Sequence, residues 1–281
     1  MVKHMKKFKV ALQLYSVRED MEKDMDATLQ AVKEMGYDYV EFAGYFGHTA
    51  EEVRNLLDKY KLECVSVHQG YEVFLQNEKE NIEYLKVIGA KYCAVPWMGK
   101  EKQKGTPLFD QTMNEFKQVG KALKAAGITL LYHNHDFEFE LYENKFLLDW
   151  LYESVSADLL QTEIDTCWVR YAGYDPAEYL LRYSGRSPVV HLKDFVCKNI
   201  NAGSAYALID NEGNEIKKQT REENNFAFKP IGYGIQDIPA ILKASEQASV
   251  EYVVLEQDAS IDRPQMENAK MSREYLKKLG L

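Results

Sequence analysis

The run Leu130-Leu131-Tyr132-His133-Asn134-His135 decides the reading of this chain once it is set beside three later runs, Ile164-Asp165, Val190-His191 and Leu255-Glu256. Each is apolar and β-prone, and each stops on a side chain of metal-ligand type. Parallel strands ending at one face bring such side chains together, so the runs describe a metal site at the mouth of a barrel. Alternation along a strand puts His133 and His135 on one face, as it does Glu163 with Asp165, His191 with Lys193, and Glu256 with Asp258. Charged side chains inside a barrel wall are costly unless they bind a metal or one another. Histidine placement agrees: of six, His68, His133, His135 and His191 sit at or just after predicted strand ends, and only His4 and His48 fall elsewhere.

Outward from these runs the chain repeats one phrase: an amphipathic helix, a glycine, then a short β-rich run. It occurs at Glu34-Met35-Gly36 before Tyr39-Val40-Glu41-Phe42, at Val87-Ile88-Gly89 before Tyr92-Cys93-Ala94-Val95, and at Ala125-Ala126-Gly127 before Ile128. Glycine there suits the left-handed residue that closes a helix. The pattern predicts strands near 9–16, 39–43, 62–68, 92–96, 128–134, 159–165, 188–194 and 250–256. Helices are expected near 24–35, 49–60, 77–88, 110–126, 146–153, 176–183, 237–248 and 265–279. Strict alternation, with no Gly-rich nucleotide fingerprint after the first strand, predicts an α/β fold, a closed (β/α)8 TIM barrel rather than an open sheet. A barrel of this kind runs to about 250 residues, so residues 1–281 are read as one domain. The polar stretch from Val196 to Phe228 breaks the rhythm. Within it, Ala207 to Ile216 reads as a hairpin in a long loop after the seventh strand, either a substrate cover or else a surface embellishment or subunit contact.

With 46% apolar and 28% charged residues, the composition suits a packed core. The 35 basic and 44 acidic side chains give a formal charge of −9, which opposes binding to nucleic acid or anionic lipid. No apolar run approaches membrane-helix length, and Met1-Val2-Lys3-His4-Met5-Lys6-Lys7 leads directly into a strand. Cys64, Cys93, Cys167 and Cys197 are widely spaced and read as free thiols. A cytoplasmic protein is the expectation. No Gly-x-Ser-x-Gly, Walker loop or Cys-x-x-Cys occurs, which leaves serine hydrolase, P-loop and dithiol chemistry without support.

Gly127 to His135, Glu163-Ile164-Asp165-Thr166, Val190-His191-Leu192-Lys193-Asp194 and Val254-Leu255-Glu256 resemble the strand-end motifs of the sugar phosphate isomerase/epimerase superfamily, the xylose isomerase-like TIM barrels. The likeness spans essentially the whole chain. It implies one divalent ion (Mn, Co, Zn, Fe or Mg) held by Asp165, His191, Glu256 and a fourth residue. The family's pattern places a glutamate where this chain has His133, so His133 is the expected fourth ligand, with His135 and Glu138 as alternatives.

For proton transfer the expectation is Glu256 as base, with Glu163, His133 or Glu138 as the partner that returns or receives a proton. Glu163 has a second reading, a salt-bridge partner of Lys193. His68, Lys193, Glu41, His135 and Trp97 are the expected substrate-binding groups, Trp97 joining Tyr15 and Trp168 in an apolar wall. Gly232-Tyr233-Gly234 reads either as a phosphate cradle or as a turn into the helix that follows.

The resemblance thus implies a metal-dependent isomerase or epimerase on a sugar, keto-sugar or sugar phosphate, working through a cis-enediolate. Histidine in the glutamate position raises the alternative, a dehydratase or lyase on a keto-sugar, keto-glycoside or cyclitol. An endonuclease IV-like DNA repair function is disfavoured by the charge and by too few ligands, and a non-catalytic sugar-binding barrel is the remaining class. A small carbohydrate is the expected partner, with homo-oligomerisation left open.

Overall fold

The computed structural model describes residues 8–200 and 223–281. The hairpin expected over Ala207 to Ile216 lies outside them. Eight parallel strands close into a barrel in sequence order: β1 Lys9–Gln13, β2 Tyr39–Phe42, β3 Glu63–His68, β4 Tyr92–Val95, β5 Thr129–His133, β6 Gln161–Asp165, β7 Val189–Leu192 and β8 Tyr252–Leu255. β8 closes on β1 with Ala11 opposite Val254 and Leu12 opposite Leu255. The expected α/β barrel is the observed fold.

Period-two alternation in each strand divides the residues between two cores. Ala11, Val65, Ala94, Leu131, Val189, Tyr252 and Val254 meet inside the barrel, while Leu12, Val40, Leu130, Ile164, Val190, Val253 and Leu255 face the surrounding helices. Several of the interior residues are followed two positions later by a polar one. Gln13 follows Ala11, Glu41 follows Tyr39, His133 follows Leu131, His191 follows Val189, and Glu256 follows Val254. A polar storey therefore stands on an apolar one at the C-terminal end of the strands.

Two expected strands are shorter than predicted. The first stops at Gln13, where the chain turns through a 3-10 segment at Leu14–Val17, and the seventh stops at Leu192. Asp194–Val196 then leaves the barrel and pairs antiparallel with Ala227–Lys229, bridging the long connection at its base. A second short ribbon, Leu141–Tyr142 with Lys145–Phe146, follows β5. Among the described residues no helix is long and apolar enough to cross a membrane.

Candidate metal centre and active site

At the C-terminal mouth, His133, Asp165, His191 and Glu256 gather from four strands, each offering a ligand atom within 4.8 Å of the others, and all four are buried. Local structure fixes each one. Asp165 caps the helix Thr166–Tyr171: its Oδ1 accepts from the backbone N–H groups of Cys167 and Trp168 at 2.8 and 3.2 Å. That leaves Oδ2 to face His133 Nε2 at 3.2 Å. Asn134 accepts from the backbone N–H of Asp165 at 2.9 Å, stitching β5 to β6 and holding both ligands in register.

His191 lies between two carboxylates, with Nδ1 2.8 Å from Glu256 Oε2 and Nε2 3.1 Å from Glu41 Oε1. A proton on Nε2 donated to Glu41 leaves Nδ1 free to ligate, the carboxylate–imidazole–metal order common in such sites. Gln13 anchors Glu41 in turn, donating to Oε1 at 2.6 Å. Lys193, only 1% exposed, places its ammonium 3.0 Å from Asp165 Oδ2, 3.0 Å from Glu256 Oε2 and 2.9 Å from Asp258 Oδ1.

A second group, Glu41, His68, Glu163 and His191, also has its ligand atoms within 4.8 Å of one another. His68 Nε2 stands 2.7 Å from both Glu41 Oε1 and Glu163 Oε2. The two groups differ in access: His133 and Glu256 line the open cavity, whereas only His68 of the second group does. Glu163 thus pairs with His68 and not with Lys193, so the lysine pairing considered for it from sequence is corrected.

Electrostatics separate these groups. Burial, reinforced by Glu41, pushes the Glu163 carboxyl up to about 7, and burial pushes His133 down to about 4, keeping its imidazole neutral. Burial opposes charge on His68, yet Glu41 and Glu163 outweigh it and push the imidazole up to about 10. Burial likewise works against Asp165, but Lys193 and His133 hold its carboxyl down at about 2. His133 and Asp165 are thereby in the neutral and ionised forms that ligate a cation, whereas at His191 burial is outweighed by Glu163 and Glu41, which push its imidazole well above the usual range, so ion binding there would displace a proton. Two imidazoles and two carboxylates fit a divalent ion that accepts nitrogen and oxygen ligands.

Three sequence expectations change at this point. Glu138 does not join the cluster. Its Oε1 accepts from the Tyr132 hydroxyl at 2.6 Å and its Oε2 from the His135 backbone N–H at 2.8 Å, in the short turn after β5. Trp168 is fully buried, packed between Phe226 and Phe228 with Lys193 5.2 Å from its ring, and takes no part in the cavity wall that Tyr15 and Trp97 do form. The backbone N–H groups of Gly232 and Gly234 do face an anion, but that anion is internal: both donate to Asp194 Oδ2, at 3.0 and 2.9 Å. His135 lines the cavity beside His133, its ring stacked on Phe137.

Sequence reasoning missed the part played by Gln13, although it stands two residues beyond the inward-facing Ala11, and it placed Asp258 on one face with Glu256 without foreseeing its contact with Lys193.

The cavity above the cluster has a volume of about 690 Å³. A barrel closed by eight parallel strands, with ligand-type side chains gathered at their C-terminal ends, defines an α/β barrel with a candidate metal centre. The chain belongs to the xylose isomerase-like TIM barrel family, whose sequence model matches residues 29–279. Among curated proteins it is similar to the inosose dehydratase of Geobacillus kaustophilus (strain HTA426), 26% identical over 278 residues, covering 90% of this chain and 87% of the relative. Among solved structures it resembles a sugar phosphate isomerase/epimerase from Parabacteroides distasonis ATCC 8503. That match has a TM-score of 0.76 at 20% identity and covers 97% of this chain and 98% of that one. It also resembles the IolI protein, solved with a zinc atom, with a TM-score of 0.71 at 14% identity over 96% and 97% of the two chains.

Proposed function

We propose that this chain is a divalent-metal-dependent dehydratase or lyase acting on a keto-cyclitol or keto-sugar. The observation that carries the reading is the gathering of His133, Asp165, His191 and Glu256, two of which, His133 and Glu256, line an open cavity. The similarity to inosose dehydratases favours water loss over the isomerase or epimerase outcome that the superfamily motifs alone put first. The IolI barrel was solved with a zinc atom, which is in keeping with a metal ion in a barrel of this fold.

In this reading His133, Asp165, His191 and Glu256 hold the ion. An ion held there would supply Lewis acidity beside the substrate carbonyl, making the α-carbon proton more readily removable. Glu256, which lines the cavity, takes that proton. Lys193 also lines it and presents N–H groups, and it delivers the proton with which the β-hydroxyl leaves as water. One C–H and one C–O bond break, a C=C bond forms, and the released water balances the atoms. His68 and His135 orient the ring through its remaining hydroxyls. Lys193, Asp165 and Asp258 hold one another in place, so a charge that shifts during reaction meets partners already oriented.

The test is incubation of metal-loaded protein with an inosose and with keto-hexoses in deuterated water, followed by NMR. Loss of water with deuterium at the carbon next to the carbonyl supports dehydration. Exchange with a change of configuration and no loss of water would return the protein to the epimerases.

A further inference from the structure

We infer that Glu41, His68 and Glu163, with the far nitrogen of His191, hold a second divalent cation beside the one assigned to His133, Asp165, His191 and Glu256. The inference goes beyond the proposed reaction, in which neither Glu41 nor Glu163 moves a proton. It depends on that reading only through His191, which the two groups share.

Glu41, His68 and Glu163 come from β2, β3 and β6 and meet inside the barrel. His68 Nε2 lies 2.7 Å from Glu41 Oε1 and 2.7 Å from Glu163 Oε2. His191 Nε2 lies 3.1 Å from the first of these oxygens and 3.5 Å from the second. Nitrogen and oxygen ligands sit roughly 2.0–2.2 Å from a tetrahedral ion, which sets them about 3.3–3.6 Å apart. The His191 contacts are close to that spacing already, and those of His68 need open by only about half an ångström.

Hydrogen bonding alone serves this group poorly. A ring nitrogen carries one proton at most, so His68 Nε2 cannot give a full hydrogen bond to both carboxylates. Glu41 and Glu163 are 0% exposed, and their other oxygens, Glu41 Oε2 and Glu163 Oε1, have no hydrogen-bond partner among the described residues. Buried carboxylate oxygens left unpaired are costly. A cation among the four side chains engages both carboxylates at once, and either can turn bidentate to bring in its second oxygen.

His68 lines the cavity, so an ion reaches this group from the same mouth as the first. His191 turns Nδ1 toward Glu256 at 2.8 Å and Nε2 toward Glu41 at 3.1 Å, so one imidazole presents a nitrogen to each group. Two imidazoles and two carboxylates suit Zn²⁺ or Mn²⁺ better than Ca²⁺. The second ion joins a site beside an existing double charge and displaces the proton between His191 and Glu41. It therefore fills after the first, when metal is in excess, and protein as purified carries one ion.

The experiment titrates Mn²⁺ into the chelator-stripped full chain, counting free ion by electron paramagnetic resonance and examining the bound ions for spin–spin coupling. About two ions per chain are expected, the second bound roughly tenfold or more weakly than the first, with a spectrum split or broadened by their coupling. Glu163→Gln and His68→Ala should each bind about one ion, within roughly threefold of the parent's first affinity and without coupling. Stoichiometry and coupling in the parent decide the matter even where a variant fails to fold. Saturation at one ion at every Mn²⁺ concentration, a second ion uncoupled from the first, or a second ion retained in both variants would overturn the inference. A coupled pair in a protein that releases no water from any keto-sugar would keep the second site and reject the dehydratase reading, and dehydration by a protein that saturates at one ion would do the reverse.

Discussion

The ammonium of Lys193 stands 3.0 Å from Oδ2 of Asp165, a carboxylate whose other oxygen is already committed to capping a helix. The lysine thus balances negative charge that a divalent ion would balance in its place, since Glu256 is also 3.0 Å away.

Lys193→Met should therefore destabilise the metal-free protein by roughly 3 kcal/mol or more, because it removes the ammonium that Asp165, Glu256 and Asp258 share. Added Mn²⁺ should then raise the melting temperature of the variant by more than that of the parent. Thermal unfolding with chelator and with metal tests this. Equal metal-induced shifts in the two proteins would show that lysine and ion do not share the same charge.

Glu138 gives a pH dependence of known sign. Burial pushes its carboxyl from the ordinary 4.5 up to about 8, against the hydrogen bonds from Tyr132 and His135. Between those values the folded chain keeps a proton that the unfolded chain releases, so the fold binds more protons there. The contribution of this group to stability is full below about pH 4.5, falls as pH rises, and reaches its floor above about 8. Glu138→Gln can keep both contacts, accepting from the His135 N–H and donating to the Tyr132 hydroxyl. It should flatten this part of the stability profile in denaturant unfolding across pH 5–8, and an unchanged slope would mean that the carboxyl ionises within the fold.

Asp194 is held by four backbone N–H groups, those of Phe195 and Gln236 on Oδ1 and those of Gly232 and Gly234 on Oδ2. Asp194→Asn turns an amide N–H₂ toward donors and should cost roughly 2–3 kcal/mol. Gly234→Ala should be comparably damaging, since a Cβ there would lie 2.2 Å from Asp194 Oδ1 and 2.4 Å from the Phe195 carbonyl oxygen. Denaturant midpoints measure both. Inorganic phosphate should protect neither the parent nor the variants, because the cradle already holds a carboxylate.

What could be read from the sequence follows from periodicity. Eight strands, their alternation, and the placing of His133, Asp165, His191 and Glu256 in one group all depend on a repeat of two along strands that end at one face. Residues beyond the strand ends escape that rule. Trp168 looked like cavity wall until the helix opened by Asp165 turned it under Lys193. Gly232 and Gly234 looked open to phosphate because nothing local reveals that Asp194, far back along the chain, fills their cradle. Glu138 lies in a one-turn segment whose direction is set by Tyr132, a side chain on the outer face of β5. In each case a tertiary partner decides the orientation, and no spacing encodes it.

The central claim is that one divalent ion is held by His133, Asp165, His191 and Glu256, and elemental analysis of protein purified without a polyhistidine tag tests it most directly. The account predicts about one transition-metal ion per parent chain, and less than roughly a tenth of that in folded Asp165→Ala, His191→Ala and Glu256→Ala. Full metal content in all three variants, or a parent that takes up no ion even when loaded with Mn²⁺ or Zn²⁺, would contradict it.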